Sequence, residues 1–164
     1  MLIATTSLMA QHAENKARKS AHETVSRNGI EVKYGRPQKK GRVIFGSGKD
    51  ALVPYGQVWR TGTDEATEIT VPKDCLFAGQ QLKAGTYTLF TIPGEKEWTV
   101  ILNKKTGQWG AYEYEKVKDQ NVLTAKVPAT SVGTPVEQFT IQVEDAGIRM
   151  EWDNVRVFIP VKNF

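Results

Sequence analysis

Hydrophobic alternation with a period of two is the feature that most constrains the fold. Apolar Ile30, Val32 and Tyr34 alternate with charged residues, and similar short runs recur about every ten residues. This period gives a strand one apolar and one polar face. Turn-forming residues, as at 54–56 and 153–154, separate the runs, and no long helical pattern lies between them. The sequence therefore predicts an all-β domain, an antiparallel β-sandwich of about ten strands, immunoglobulin-like or jelly-roll-like, with little helix.

The alternation also locates the individual strands. The predicted strands cover residues 30–34, 42–45, 57–61, 67–71, 86–92, 98–102, 108–114, 122–127, 138–143, 148–152 and 155–161. The runs at 86–92 and 98–102 carry apolar residues on both faces, which predicts that these strands are central. Gly85 followed by Tyr87 is typical of a corner where a tyrosine hydroxyl bonds to nearby backbone.

The length of 164 residues fits one globular domain, and no linker rich in Pro, Gly or Ser divides the chain. We assign residues 28–164 to a single β-sandwich domain and residues 11–27 to a polar, basic N-terminal segment. No apolar run reaches the 18 or so residues that a membrane-spanning helix needs, so no transmembrane segment is predicted.

Residues 1–10 form a short apolar run rich in small residues, which resembles the end of a signal peptide. A positively charged region before the run is missing. We expect an exported protein, periplasmic or extracellular, with cleavage near Ala10 and Gln11. The alternative is a polar tail on a cytoplasmic protein.

The net charge of +4 is concentrated near the N-terminus, since residues 1–49 hold ten of the 22 Lys and Arg but three of the 18 Asp and Glu. The segment RPQKKGR, residues 36–42, is the densest basic run. It has no interleaved aromatic residues on which bases could stack, and its Pro and Gly are typical of a solvated link between strands. We therefore predict no nucleic-acid partner.

The familiar catalytic and cofactor motifs are missing from the sequence. Cys75 is the single cysteine, so no internal disulfide forms, and its apolar neighbours predict a buried thiol. Two histidines and one cysteine are too few for a standard structural zinc site. The string at 46–50 is not a phosphate loop because Asp50 replaces the required Ser or Thr. We predict no cofactor and no metal, and assign no catalytic residue.

The densest polar cluster is WRTGTDEAT, residues 59–67. A turn around Gly62 presents Arg60 as a bidentate donor and Glu65 as an acceptor, a combination suited to a sugar or an anionic group. The alternative is an internal ion pair of Arg60 with Glu65 or Glu68 that fixes the hairpin.

The second cluster is WGAYEY, residues 109–114. Strand alternation places Trp109 on one face and Tyr112 on the other, so one aromatic set faces outward or into a cleft. Aromatic platforms suit carbohydrate, and core packing is the alternative explanation. The predicted ligand-binding set is Arg60, Glu65, Trp109, Tyr112, Arg36, Tyr34 and His22.

From His22 onward the chain resembles domain-of-unknown-function family 2911, a group of small, mostly exported bacterial proteins. The resemblance lies in six ordered blocks: HETV, RPQKKGRVIFG, LVPYG, WRTGTDEAT, AGTYTLFTIP and WGAYEY. It implies an all-β domain that usually follows a signal peptide, and brings no established activity or catalytic residue. The family often has Ala-Asn where this chain has Thr63 and Asp64, which adds a carboxylate here.

Three functions remain open at this point. The first is a non-enzymatic binding or accessory module of the cell envelope for a carbohydrate or other polar small ligand. The second is a hydrolase in which Asp64 and Glu65, or Glu65 and Glu68, act as acid and base. The pair Asp64 and Glu65 requires the turn to bring adjacent side chains together. The third is a structural or protein-interaction domain that uses exposed strand edges. The sequence leaves the oligomeric state open.

Overall fold

The computed structural model describes residues 20–163, and this part of the chain is almost entirely β-structure. Its strands are β1 Ala21–Arg27, β2 Ile30–Arg36, β3 Phe45–Gly46, β4 Val53–Pro54, β5 Glu68–Val71, β6 Cys75–Phe77, β7 Gln80–Leu82, β8 Gly85–Ile92, β9 Glu97–Asn103, β10 Asn121–Glu144 and β11 Gly147–Asn163. Helix α1, Tyr114–Val117, is one turn long and leads into a 3-10 turn at Lys118–Gln120. The predicted all-β fold is confirmed. The leader predicted at residues 1–10 lies outside the described residues.

Nine strands form one antiparallel sheet in the order β1-β2-β5-β8-β9-β10-β11-β6-β7. The long strand β10 belongs to two parts of this sheet. Its residues 121–128 pair with β9, whereas its later residues, from 129 to 144, pair with β11. The ring of Tyr34 on β2 packs against Phe139 on β10 at a centroid distance of 5.7 Å, so the two parts face one another as layers.

A cluster of aromatic side chains fills the space between the layers. Trp59 stacks on Trp152 at a centroid distance of 6.0 Å and an interplanar angle of 17°, while Phe45, Trp98 and Phe139 pack around them. On β2 the predicted alternation holds, since Ile30, Val32 and Tyr34 are all buried. These contacts fix Trp59, the residue that precedes Arg60.

The central position of β8 and β9 is confirmed, because each pairs on both sides. Leu89 and Phe90, which point to opposite faces of β8, are both fully buried. Leu89 belongs to the main core, whereas Phe90 packs with Ile101 and Tyr114 in a second, smaller cluster. The segment that contains the aromatic block WGAYEY therefore covers the outer face of these strands.

The predicted tyrosine corner is present. The Tyr87 hydroxyl donates a hydrogen bond of 2.7 Å to the carbonyl oxygen of Lys83. This contact ties the start of β8 to the preceding loop.

Two predicted strands are wrong. In residues 57–61, Trp59 alone exchanges backbone hydrogen bonds with Thr91, and the positive φ of 58° at Thr61 then ends the extended run. In residues 108–114, Trp109 makes a single bridge to Glu65, Gly110 turns the chain with φ of 63°, and α1 follows. The first segment lies beside β8 with Trp59 buried between the layers, whereas the second covers the outer face of the sheet, and neither continues as a strand.

The structure also contains strands that the alternation did not predict. β1 pairs with β2 along its whole length, from Ala21 to Arg27, inside the segment 11–27 that the sequence analysis placed before the sandwich. Every residue of β1 is exposed except the half-buried Val25, so the strand carries no apolar face to detect. β6 and β7 are three residues each, too short for a period to show.

Candidate functional site

The arginine turn, residues 59–67, packs directly on β2. An added Cβ at Gly35 would lie 2.3 Å from the carbonyl oxygen of Thr63, and one at Gly62 would lie 2.9 Å from that of Gly35. Only glycine fits at both positions. The Thr67 hydroxyl donates to the carbonyl of Thr61 at 2.6 Å and closes the turn from inside. The turn is therefore a rigid extension of the sheet.

Arg60 is held by two hydrogen bonds at the edge of this turn. Its guanidinium donates to the carbonyl oxygen of Asp64 at 3.0 Å and to the Tyr112 hydroxyl at 3.1 Å. Its Cζ also lies 5.3 Å from the centre of the Tyr112 ring. Among residues 20–163 Arg60 forms no salt bridge, and the Glu68 carboxylate instead accepts the backbone N–H of Gly107 at 2.8 Å. The ion pair that the sequence allowed for Arg60 is not what holds the turn.

The two clusters found in the sequence form one surface. The Ala66 N–H donates to the Gln108 carbonyl and the Gly110 N–H donates to the Asp64 carbonyl, both at 2.9 Å. An added Cβ at Gly110 would lie 2.7 Å from the Tyr112 ring and 3.1 Å from Cζ of Arg60. Glycine at this position lets the ring, which is 73% exposed, lie beside the guanidinium.

His22 connects β1 to the arginine turn. Its Nε2 lies 3.1 Å from Oε2 of Glu65 and 3.4 Å from Oδ2 of Asp64. Its Nδ1 lies 3.0 Å from the carbonyl oxygen of Ser20, which can only accept a hydrogen bond. Nδ1 is therefore the donor to this carbonyl, and Nε2 faces the two carboxylates.

Asp64 and Glu65 are adjacent in sequence, yet their carboxylates meet at the same imidazole nitrogen. The positive φ of 61° at Asp64 produces this arrangement, because an extended backbone would turn the two side chains to opposite faces. Asp64 is 7% exposed and its Oδ2 has no hydrogen-bond partner among the described residues. The imidazole of His22 is the polar group that faces this buried oxygen.

Tyr34 and Arg36 tie β2 to β10. The Tyr34 hydroxyl accepts the backbone N–H of Ile141 at 2.9 Å, and burial raises the pKa of this tyrosine. Arg36 donates to the carbonyl oxygen of Phe139 at 3.1 Å and pairs with the carboxylate of Glu23 at 3.0 Å. Both side chains therefore join the two layers of the sandwich.

Three cavities surround these residues. The cationic cavity, about 530 Å³, is lined by residues that include Arg36, Lys40, Arg42, Trp59, Arg60 and Gln138. The tyrosine cavity, about 370 Å³, is lined by residues that include Leu52, Val53, Trp59, Arg60 and Tyr112. The carboxylate cavity, about 340 Å³, is lined by residues that include His22, Glu23, Lys33, Tyr34, Glu65 and Glu68.

Six of the seven predicted binding residues are thus divided among neighbouring cavities. Arg60 lies between the cationic and tyrosine cavities, which also share Leu52, Val53 and Trp59. His22, Tyr34 and Glu65 line the carboxylate cavity. Trp109 is 45% exposed and lines none of the three cavities.

The sequence analysis missed the contribution of the segment RPQKKGR to the cationic cavity. Residues 37–39 form backbone hydrogen bonds with residues 137–139 of β10. Positive φ values at Lys40 and Gly41 then turn the chain, so that the Arg42 guanidinium donates to the carbonyls of Gln38 and Lys39. The segment is thus a defined wall of the cavity, although Gln38 and residues 40–42 remain exposed to solvent, as predicted. The dense positive charge of this segment is the sequence feature that could have indicated a cationic site.

Within residues 20–163, no group of three or more His, Cys, Asp and Glu residues is arranged to hold a metal ion. In the same part of the chain, no helix has both the length and the apolar character needed to cross a membrane.

A family model described as "Protein of unknown function (DUF2911)" matches residues 16–161. The chain belongs to this family. The DUF2911 match includes the arginine turn, the segment RPQKKGR and the aromatic block, so all three cavities lie within the family domain. No curated protein and no solved structure matches the chain.

Proposed function

We propose that this protein is a non-enzymatic binding module for a polar small ligand of the carbohydrate type. The observation that carries the proposal is the position of Arg60 between two adjoining cavities of about 530 and 370 Å³. Small-molecule sites commonly have volumes of about 300–1,000 Å³ and place a few polar groups on an aromatic or apolar wall. Trp59 and Tyr112 supply aromatic wall here, and Arg60 supplies donors.

The rigidity of the arginine turn supports this function. Arg60 is already held by the Asp64 carbonyl and the Tyr112 hydroxyl, so a ligand would order few side chains on binding. Two glycines, Gly35 and Gly62, lock the turn against β2. A preorganised arginine beside an exposed ring is suited to hydroxyl and anionic groups.

The test is a thermal-shift screen of the full chain against monosaccharides, disaccharides and sugar acids. We expect at least one compound to raise the Tm of the wild type, because a ligand that binds only the folded state stabilises it. The Arg60→Ala variant should fold with an unchanged circular-dichroism spectrum and lose this shift. Loss of the fold in Arg60→Ala and in Arg60→Lys would assign Arg60 to the scaffold and contradict the proposal.

A second candidate function is acid–base hydrolysis by Asp64 and Glu65. It is favoured by one observation, the approach of both carboxylates to within 3.4 Å of the same nitrogen of His22. Glu68, which binds the Gly107 N–H, is not part of this pair. Turnover of a panel of 4-nitrophenyl glycosides and esters that falls in both Asp64→Asn and Glu65→Gln would support hydrolysis. Unchanged turnover in both variants would rule it out.

The proposed site of action is the cell envelope, which depends on the apolar run at residues 1–10. Mass spectrometry of the chain isolated from its native cells tests this. A mature N-terminus at Gln11 supports export, and a chain that retains residues 1–10 contradicts it.

A further inference from the structure

The charges around the arginine turn are distributed unevenly between the cavities. Four cationic side chains line the cationic cavity, those of Arg36, Lys40, Arg42 and Arg60, and its described lining contains no Asp or Glu. The carboxylate cavity holds three glutamates. The cationic cavity is therefore the place on this surface where an anion is favoured.

The cations differ in whether the protein already neutralises them. The guanidinium of Arg36 forms a salt bridge of 3.0 Å with Glu23, which neutralises its charge. Glu137 is the acidic residue that approaches Lys40, and it accepts the Lys40 backbone N–H at 3.0 Å instead of pairing with the side-chain ammonium. Among the described residues, neither Arg42 nor Arg60 forms a salt bridge.

Arg42 and Arg60 are both fixed in place by neutral acceptors. Arg42 donates to two backbone carbonyls of its own turn, and Arg60 donates to the carbonyl of Asp64 and to Tyr112. Carbonyl and hydroxyl groups orient a guanidinium without cancelling its charge. The positive charge of both residues is thus left for a ligand, and their side chains need little reorganisation to receive it.

Uncharged polar side chains complete the lining, among them those of Gln38, Thr63 and Gln138. Amides and hydroxyls of this kind are suited to ligand hydroxyl groups. We propose that the cationic cavity binds a small, hydroxyl-rich anion, a sugar acid or a sugar phosphate, whose anionic group contacts Arg42 and Arg60. This inference rests on the proposed binding function and specifies the charge of its ligand.

The experiment uses one sugar scaffold in three charge forms. Isothermal titration calorimetry of the full chain at low ionic strength compares glucose, glucuronic acid and glucose 6-phosphate, with inorganic phosphate as a fourth probe. We expect at least one of the two charged sugars to bind about tenfold or more tightly than glucose, as a charge-assisted hydrogen bond provides. Added salt should weaken that binding.

Arg42→Gln tests the location of the site. We expect it to weaken binding of the charged sugar about tenfold or more, while Arg42→Lys, which retains the charge, should keep part of the affinity. The matched control is Arg156→Gln, which removes the same net charge from β11. Arg156 pairs with Glu151 at 3.3 Å and lines none of the three cavities, so its replacement should leave binding unchanged.

The possible failures are distinguishable. Glucose that binds as tightly as both charged forms overturns the inference and leaves the proposed function intact. No binding of any probe overturns the inference and, with a negative thermal-shift screen, the proposed function as well. Equal weakening by Arg42→Gln and Arg156→Gln shows that net charge alone attracts the anion and overturns the assigned site. Inorganic phosphate that binds as tightly as glucose 6-phosphate overturns the role of the hydroxyl groups.

Discussion

The Tyr34 hydroxyl occupies the position that a neighbouring strand would take beside Ile141. It accepts the Ile141 N–H at 2.9 Å and lies 3.3 Å from the Ile141 carbonyl oxygen. Tyr34 is 3% exposed and belongs to β2, whereas Ile141 belongs to β10. A single side chain therefore satisfies backbone groups of the opposite layer.

We expect Tyr34→Phe to lower the free energy of unfolding by about 1–3 kcal/mol, because it leaves a buried N–H without this partner. Urea denaturation measures the change. Tyr55→Phe is the matched control, since the Tyr55 hydroxyl forms no hydrogen bond among the described residues. Equal destabilisation by the two changes would contradict the bridging role of Tyr34.

Stability should also fall at alkaline pH. Burial raises the pKa of Tyr34, whereas a tyrosine in the unfolded chain ionises at about pH 10. Above that pH the unfolded chain holds fewer protons than the folded chain, so the free energy of unfolding decreases as pH rises. We expect a shallower decrease in Tyr34→Phe, and the raised pKa of Tyr87 leaves a residual slope in both proteins. Identical slopes would show that Tyr34 titrates as it does in water.

Gly110 and Gly107 allow the contact with Tyr112 to be separated from backbone strain. Both have positive φ, 63° and 70°, but an added Cβ at Gly107 would meet nothing within 4 Å. Gly107→Ala should lower the free energy of unfolding by about 1 kcal/mol, because alanine is strained at this positive φ. Gly110→Ala should cost more, because its Cβ would displace the Tyr112 ring from Arg60.

The double variant Gly110→Ala with Tyr112→Ala checks this interpretation. When the Tyr112 ring is absent, Gly110→Ala should lower the free energy of unfolding only as much as Gly107→Ala does. This is the result that a double-mutant cycle gives for two residues in contact. Thermal denaturation of the four proteins gives the coupling. A cost at position 110 that does not depend on Tyr112 would show that the ring moves freely.

Cys75 should be unreactive in the folded protein. It is 2% exposed, and burial raises the pKa of its thiol, so the thiolate that reacts with disulfide reagents is scarce and inaccessible. We expect 5,5′-dithiobis(2-nitrobenzoic acid) to label one thiol in denaturant and almost none in buffer. Rapid labelling in buffer would mean that the end of the sheet formed by β6 and β7 opens readily.

Period-two alternation was enough to predict the fold class and the central strands β8 and β9. It failed where a strand has no apolar face, as in β1, and where an aromatic residue forms only an isolated bridge, as at Trp59 and Trp109. In those places burial depends on contacts with distant strands. Trp59, for example, is buried by Trp98 and Trp152, which lie far along the chain.

The candidate site was predicted in parts. Arg60 and Tyr112 were each selected from local composition, but their contact spans 52 residues. It depends on the backbone hydrogen bonds from Ala66 to Gln108 and from Gly110 to Asp64. Arg42 was placed in a solvated link, because nothing local shows that residues 37–39 pair with residues 137–139. Pairing across such distances is a property of topology, which one sequence does not reveal by periodicity.

Strand β10 couples the unfolding of the two layers. Residues near its start pair with β9 in one layer, and residues near its end pair with β11 in the other. Because the same strand belongs to both layers, neither layer can unfold without disrupting the other. Unfolding should therefore be cooperative across the whole sandwich, and the slowest-exchanging amides of both layers should report the same opening free energy.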